Sequence, residues 1–184
     1  MTYASPLITD RAPHAPALWI GCLAAYNAGT LHGAWVQASS DPAEMYEAIG
    51  EILAASPEPH AEEWEIMDTE NMPRLCRADV STAAAYVETL EALSTYADAA
   101  EIVAAWVEWR GGDEMDAEKI RDAYLGQFDS VEDYAWQYID DSDALREVPE
   151  YLRPYVNVAA LGRDMELSGD IYHGKHGHTF NGHA

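Results

Sequence analysis

Carboxylates are the chemically capable groups this chain has most of: 33 Asp and Glu side chains against 10 Lys and Arg in 184 residues. Two carboxylates can act as acid and nucleophile on a glycosidic bond, but among so many acids some pair looks catalytic by chance. His173, His176, His178 and His183 crowd the end of the sequence, where imidazoles could take a divalent metal. The glycines among them read instead as a frayed end that carries histidines, and no metal site is expected. Cys22 and Cys76 stand in no metal or redox spacing. There is no G-x-S-x-G, no phosphate-cradling glycine loop and no H-E-x-x-H. Trp106 and Tyr134 suit core packing better than base stacking. No catalytic constellation and no cofactor is expected; the chain reads as a protein that is not an enzyme.

If the acids do no catalysis, the elements that hold them matter more. Leu18–Ala25 and Leu31–Gln37 read as strands of an antiparallel hairpin, joined by the turn residues Asn27-Ala28-Gly29-Thr30. Asp41 before Pro42, with Glu44 three positions on, starts a helix. That helix turns Met45, Ile49, Ile52 and Leu53 inward and Glu44, Glu47 and Glu51 outward. Residues 64–67 suit a third strand. Ser81 is a candidate cap for a helix with Val87, Leu90 and Leu93 inside. A second helix over about 97–109 buries Ile102, Val103 and Trp106, exposes Glu101 and Glu108, and stops at Gly111-Gly112. A charged helix near 115–123 and a brief strand at 124–128 follow. Ser130 caps a helix with Val131, Tyr134, Ala135 and Tyr138 inside and Glu132, Asp133, Asp140 and Asp141 outside. Residues 149–155 suit a short helix, 157–167 a longer one ending at Gly169, and 170–173 a strand. The fold class is α+β: an elongated chain of three small units. A flexible extension (1–16) precedes an N-terminal α+β domain (17–80), a helical middle (81–120) and a C-terminal α+β domain (121–184).

The charge is uneven, and its total is −23 with a pI near 4.3. Residues 41–73 hold ten acids and no Lys or Arg, while residues 1–40 hold one acid and one base. Solubility asks for a net charge of only about 2–8 in a small domain. Direct contact with nucleic acid or an anionic membrane is disfavoured, because phosphates would meet their own sign. No 18-residue apolar run exists for a membrane helix. The first 16 residues lack the basic start and apolar core of a secretion signal, so a cytoplasmic location is expected. What remains is a basic partner. Duplex DNA carries about one charge per 1.7 Å, so a dimer at twice −23 matches roughly 80 Å of duplex.

Several segments resemble the ArdA antirestriction family. Residues 22–35, Cys-Leu-Ala-Ala-Tyr-Asn-Ala-Gly-Thr-Leu-His-Gly-Ala-Trp, are similar to its opening hairpin. Residues 54–59 (Ala-Ala-Ser-Pro-Glu-Pro) and 62–68 (Glu-Glu-Trp-Glu-Ile-Met-Asp) also resemble it. Residues 145–155, Leu-Arg-Glu-Val-Pro-Glu-Tyr-Leu-Arg-Pro-Tyr, look like its antirestriction motif, and Gly162–Gly169 like its closing helix. The Pro-rich residues 1–16 and the end after His173, which lacks an apolar final strand, depart from the family pattern. The resemblance implies a non-catalytic mimic of bent DNA, carried on mobile genetic elements. It would occupy the DNA groove of type I restriction-modification enzymes, at their methyltransferase and specificity subunits. It also implies a homodimer formed through the C-terminal domain. Standing in for phosphates would be Glu44, Glu47, Glu51, Glu62, Glu63, Asp68, Glu70, Glu101, Glu108, Asp113, Glu114, Asp129, Glu132, Asp133, Asp140 and Asp141. Leu145, Glu147, Val148, Pro149, Tyr151, Leu152 and Tyr155 would serve antirestriction or the dimer. The alternative is an acidic module or chaperone for some other basic or DNA-binding protein.

Overall fold

The computed structural model describes residues 12–184, and the fold is α+β. Most of the expected N-terminal extension lies outside the described residues. Residues 12–16 are tied down: the Ala12 N–H donates to Gln37 Oε1 (3.0 Å), and the Ala15 carbonyl accepts from Asn71 Nδ2 (3.1 Å). The chain forms two compact units, one ending at Ala117 and one running from Glu118 to Ala184.

In the first unit, β1 (Ala17–Cys22) is flanked by β2 (Gly33–Gln37) and β3 (Trp64–Glu70), all antiparallel. The expected hairpin forms, but its first strand stops at Cys22. Leu23–Asn27 is a short helix, α1, because Leu, Ala and Ala favour helix and the chain can leave it through Gly29 at φ 86°. The helix α2 (Pro42–Ala54) begins as expected, with Asp41 Oδ1 accepting from the Ala43 N–H at 2.9 Å. Its Met45, Ala48, Ile49 and Ile52 pack on Leu18, Ile20, Val36 and Ile66 from the inner face of the sheet. The next helix, α3 (Val80–Ala92), is capped by Asp79 rather than Ser81. One Asp79 oxygen accepts from the Thr82 N–H (2.8 Å) and the other from its hydroxyl (3.1 Å). Its buried face is accordingly Val80, Ala83, Ala84, Tyr86 and Thr89, while Val87 and Leu90 are half-buried. The helix α4 (Ala99–Arg110) buries Ile102, Val103 and Trp106 as expected, and the Trp106 indole donates to the Glu114 carbonyl (2.8 Å).

The second unit opens with α5 (Ala117–Ala123, its first residue on the boundary) and β4 (Tyr124–Gln127). Next come α6 (Val131–Ser142), a 3-10 turn at Glu150–Tyr155, α7 (Val158–Ser168), β5 (Ile171–His173) and β6 (His178–Asn181). Ser130 and Asn157 cap the two long helices, and Gly169 ends α7. Ala135, Ile139 and Val158 form the core where these helices meet. A Cβ at Gly162 would strike the Val131 carbonyl, so the close approach requires glycine. Tyr138, expected inside, is 44% exposed, because the buried stripe runs through Ala135 and Ile139. The end of the sequence is the larger correction. It does not fray: β6 is the central strand of a sheet ordered β4-β6-β5. Phe180 and Thr179 are fully buried there, and strand pairing on both sides supplies the order that sparse apolar residues did not advertise.

Candidate protein-binding surface

The acids sit on opposite sides of the elements from the cores. On α2, Glu44 and Glu47 are exposed and Glu51 half-buried, across the helix from Met45, Ile49 and Ile52. Glu44 accepts from the Ser39 hydroxyl at 2.6 Å. Glu62 and Glu63 are exposed just before β3. On β3 a bulge at Met67 does something that simple alternation would not. Glu65 pairs with Gly21 and Ile66 with Ile20, yet Asp68 pairs with Trp19 and Glu70 with Ala17. The extra residue flips the parity, so Glu65, Asp68 and Glu70 all share the outer face, away from Ile66 and the core. Without it, Glu65 and Asp68 would point to opposite faces. Trp19 and Trp35 lie edge-to-face on that same side, ring centroids 5.7 Å apart. Glu101 and Glu108 lie two turns apart on the exposed side of α4, and Glu114 is exposed beyond it. The Asp113 side chain is outside the described ones.

In the second unit Asp129, Glu132, Asp133, Asp140 and Asp141 are all exposed. Asp133 closes a cap: its carboxylate accepts from the Ser130 hydroxyl (2.6 Å), whose oxygen accepts from the Asp133 N–H (3.2 Å). Glu132 and Asp133 therefore suit the positive end of the helix dipole. Asp140 and Asp141 do not. They occupy the last turn of α6, where partial negative charge already accumulates and no basic residue compensates. Glu91 on α3 and Glu51 on α2 are placed the same way, again with no base in the last turn. Among the described residues, Glu47, Glu62, Glu63, Glu65, Asp68, Glu91, Asp129, Glu132 and Asp140 form no ion pair. The fold thus keeps negative charge where local stability argues against it.

Residues 145–155 are a different kind of surface. Leu145 packs against the α6–α7 core and Val148 is half-buried. Glu147, Pro149, Tyr151, Leu152 and Tyr155 are exposed, Tyr151 by 74% and Tyr155 by 83%. The exposed Trp136 on α6 lines one cleft with Leu145, Arg153 and Pro154 of this segment, and exposed apolar side chains of this kind suit contact with another protein.

The histidines point to separate tasks. His173 Nδ1 meets Thr179 Oγ1 (2.9 Å), the buried His178 Nδ1 meets the Tyr124 hydroxyl (3.1 Å), and His183 Nε2 meets Asp170 Oδ1 (2.9 Å). Among the described residues no three His, Cys, Asp or Glu side chains could share a metal ion. Burial pushes the Cys76 thiol up to about 11 and the Tyr86 hydroxyl up to about 12, so neither is ionised near neutrality. No helix among the described residues is long and apolar enough to cross a membrane. Sequence reasoning missed Glu65, although the inward Ile66 beside it marks it as outward by simple alternation. What leaves no mark in the alternation is the bulge that brings Asp68 and Glu70 to the same face. Sequence reasoning also missed Trp136 and Asp143, which stand apart from any motif.

No curated protein matches the chain. The family profile described as Antirestriction protein (ArdA) does match, over residues 18–180. It spans both units, the bulged acidic strand and the exposed 145–155 segment, and at that coverage the chain belongs to the ArdA antirestriction family.

Proposed function

We propose that this antirestriction protein works without catalysis, as a mimic of duplex DNA that occupies the DNA-binding groove of type I restriction-modification enzymes. The methyltransferase and specificity subunits are its targets. Residues 17–80, 81–120 and 121–184 act as three successive carriers of charge. The observation that carries the reading is the placement of Glu91 and Asp140, which form no ion pair among the described residues, at the C-terminal ends of their helices. Acids that only kept the protein soluble would have no reason to sit there. Folding holds these charges together in advance, so a basic groove meets a preformed polyanion and binding releases counterions. The exposed Tyr151, Leu152 and Tyr155 suit self-association, and a homodimer would double the charge presented.

The test is competition. The protein should displace duplex DNA from a type I methyltransferase, with an apparent affinity that falls as salt rises. Failure to compete at low salt ends the proposal. Equal binding to cationic proteins that have no DNA groove would favour a general acidic module or chaperone instead.

A further inference from the structure

We propose that a cleft beside α6 receives an arginine side chain of the basic partner, an inference that rests on the DNA-mimic reading. The cleft encloses about 410 Å³, within the range of small-ligand sites, and is lined by Trp136, Ile139, Asp140, Asp143, Leu145, Arg153 and Pro154. Ile139, Leu145 and Pro154 give it apolar surface; Trp136, 45% exposed, gives it an open indole.

The cleft is built into the backbone. Asp143 adopts a left-handed conformation (φ 53°) that turns the chain off α6, and the Ala144 N–H donates to the Ile139 carbonyl (3.2 Å). The Arg146 and Leu152 N–H groups donate to the Asp143 (3.0 Å) and Pro149 (2.8 Å) carbonyls. Arg153 Nε donates to the Val148 carbonyl (3.1 Å), which pins the 3-10 turn to the preceding loop.

Asp140, Asp143 and Arg153 are the charged groups that line it. Asp140 and Arg153 form no ion pair among the described residues. Asp143 has only Arg146, at 3.9 Å, and both side chains are largely exposed, so that pair exchanges cheaply. An indole beside two available carboxylates suits a guanidinium, whose flat face stacks on Trp while its N–H fork engages carboxylate oxygens. A lysine ammonium offers neither the plane nor the fork. The cleft would give an arginine from a DNA groove an aromatic contact that phosphates do not provide.

Titration of the isotope-labelled full-length protein with N-acetyl-arginine amide, and separately with N-acetyl-lysine amide, tests this. The readouts are the Trp136 indole and Leu145 backbone NMR signals. Arginine amide should shift both saturably and bind at least threefold tighter than lysine amide. Asp140→Asn with Asp143→Asn should weaken it at least fivefold, and Trp136→Ala, read at Leu145, by a similar factor. Equal response to the two amides, or shifts confined to other acids, overturns the proposal. So does a Trp136 signal that moves with protein concentration alone, because a second copy would then fill the cleft. DNA displacement by the unaltered protein is measured in parallel. Displacement with a silent titration removes the cleft only; no displacement removes the DNA-mimic reading, whatever the titration gives.

Discussion

Residues 1–117 carry twenty acids against four Lys or Arg, a net of −16, while residues 118–184 carry thirteen against six, a net of −7. Large exposed side chains occur in both units, Tyr26, Leu31, Tyr46 and Leu75 in the first and Trp136, Tyr138, Tyr151, Leu152, Tyr155 and Leu167 in the second. Only the second gathers several into one short segment, Tyr151, Leu152 and Tyr155. The first unit is built to project a field. Its acids lie on α2, on the bulged β3 and on the outer sides of α3 and α4, with few cations among them. The second unit combines a weaker charge with stacking surfaces and a cleft. Long-range attraction needs only the first kind of surface, whereas short-range discrimination needs the second.

The comparison is easiest to break through the two cores. Ile49→Ala should cost about 2–5 kcal/mol, with amide-exchange protection lost only in residues up to Ala117. Gly162→Ala should cost about 1–3 kcal/mol through overpacking, with losses confined to the second unit. Loss of protection in both units from either change would show that the division is not energetic. The functional half of the comparison is sharpened by salt. Changing Glu47, Glu62, Glu63 and Asp68 to their amides should lower the slope of log affinity against log salt by about 1 per charge removed. Tyr151→Ala with Tyr155→Ala should weaken self-association, seen by sedimentation, and leave that slope per protomer unchanged. Glu91→Gln and Asp140→Asn should each stabilise the protein by about 0.3–1 kcal/mol, measured by denaturant titration, because each relieves repulsion at a helix C-terminus. A loss of stability would show those acids to be structural. The smallest effect concerns Asp170. Hydrogen bonds from Ser168 (2.7 Å) and His183 (2.9 Å) hold its carboxyl below its usual value. A depressed carboxylate stabilises the fold above about pH 4 and loses that contribution as the pH falls through its lowered value. The melting temperature of Asp170→Asn should therefore fall less steeply below pH 4 than that of the unaltered protein.

How far these features could be read in advance depended on how locally they are encoded. The helix α2 was legible because Asp41, Pro42 and Glu44 mark its start and Met45, Ile49 and Ile52 its buried side. The helix α7 was legible because Asn157 and Gly169 bracket it. The cap of α3 was displaced because Asp79 and Ser81 are both good caps, and only the approach to Thr82 decides between them. The strand β6 was missed because one of the two neighbours that bury it, β4, is distant in sequence, and Phe180 alone looked apolar. Within the candidate surface, the helical acids could be placed by counting turns. The outward facing of Asp68 and Glu70 could not, since the inserted Met67 that reverses strand parity after Ile66 is a tertiary event. The cleft beside α6 depends on a left-handed aspartate, a conformation asparagine and aspartate tolerate without announcing it.

The two sheets also differ in when their middle strand emerges during synthesis. In the first unit β1 is made before both of its neighbours, so each can pair as it leaves the ribosome. In the second the middle strand is β6, and Tyr124 must wait for Phe180, its register partner, to be translated. Until then β4 and β5 have exposed edges and nothing between them, open to proteases and to neighbouring nascent chains. Loss of the chain beyond His173 would leave both strands in that state permanently.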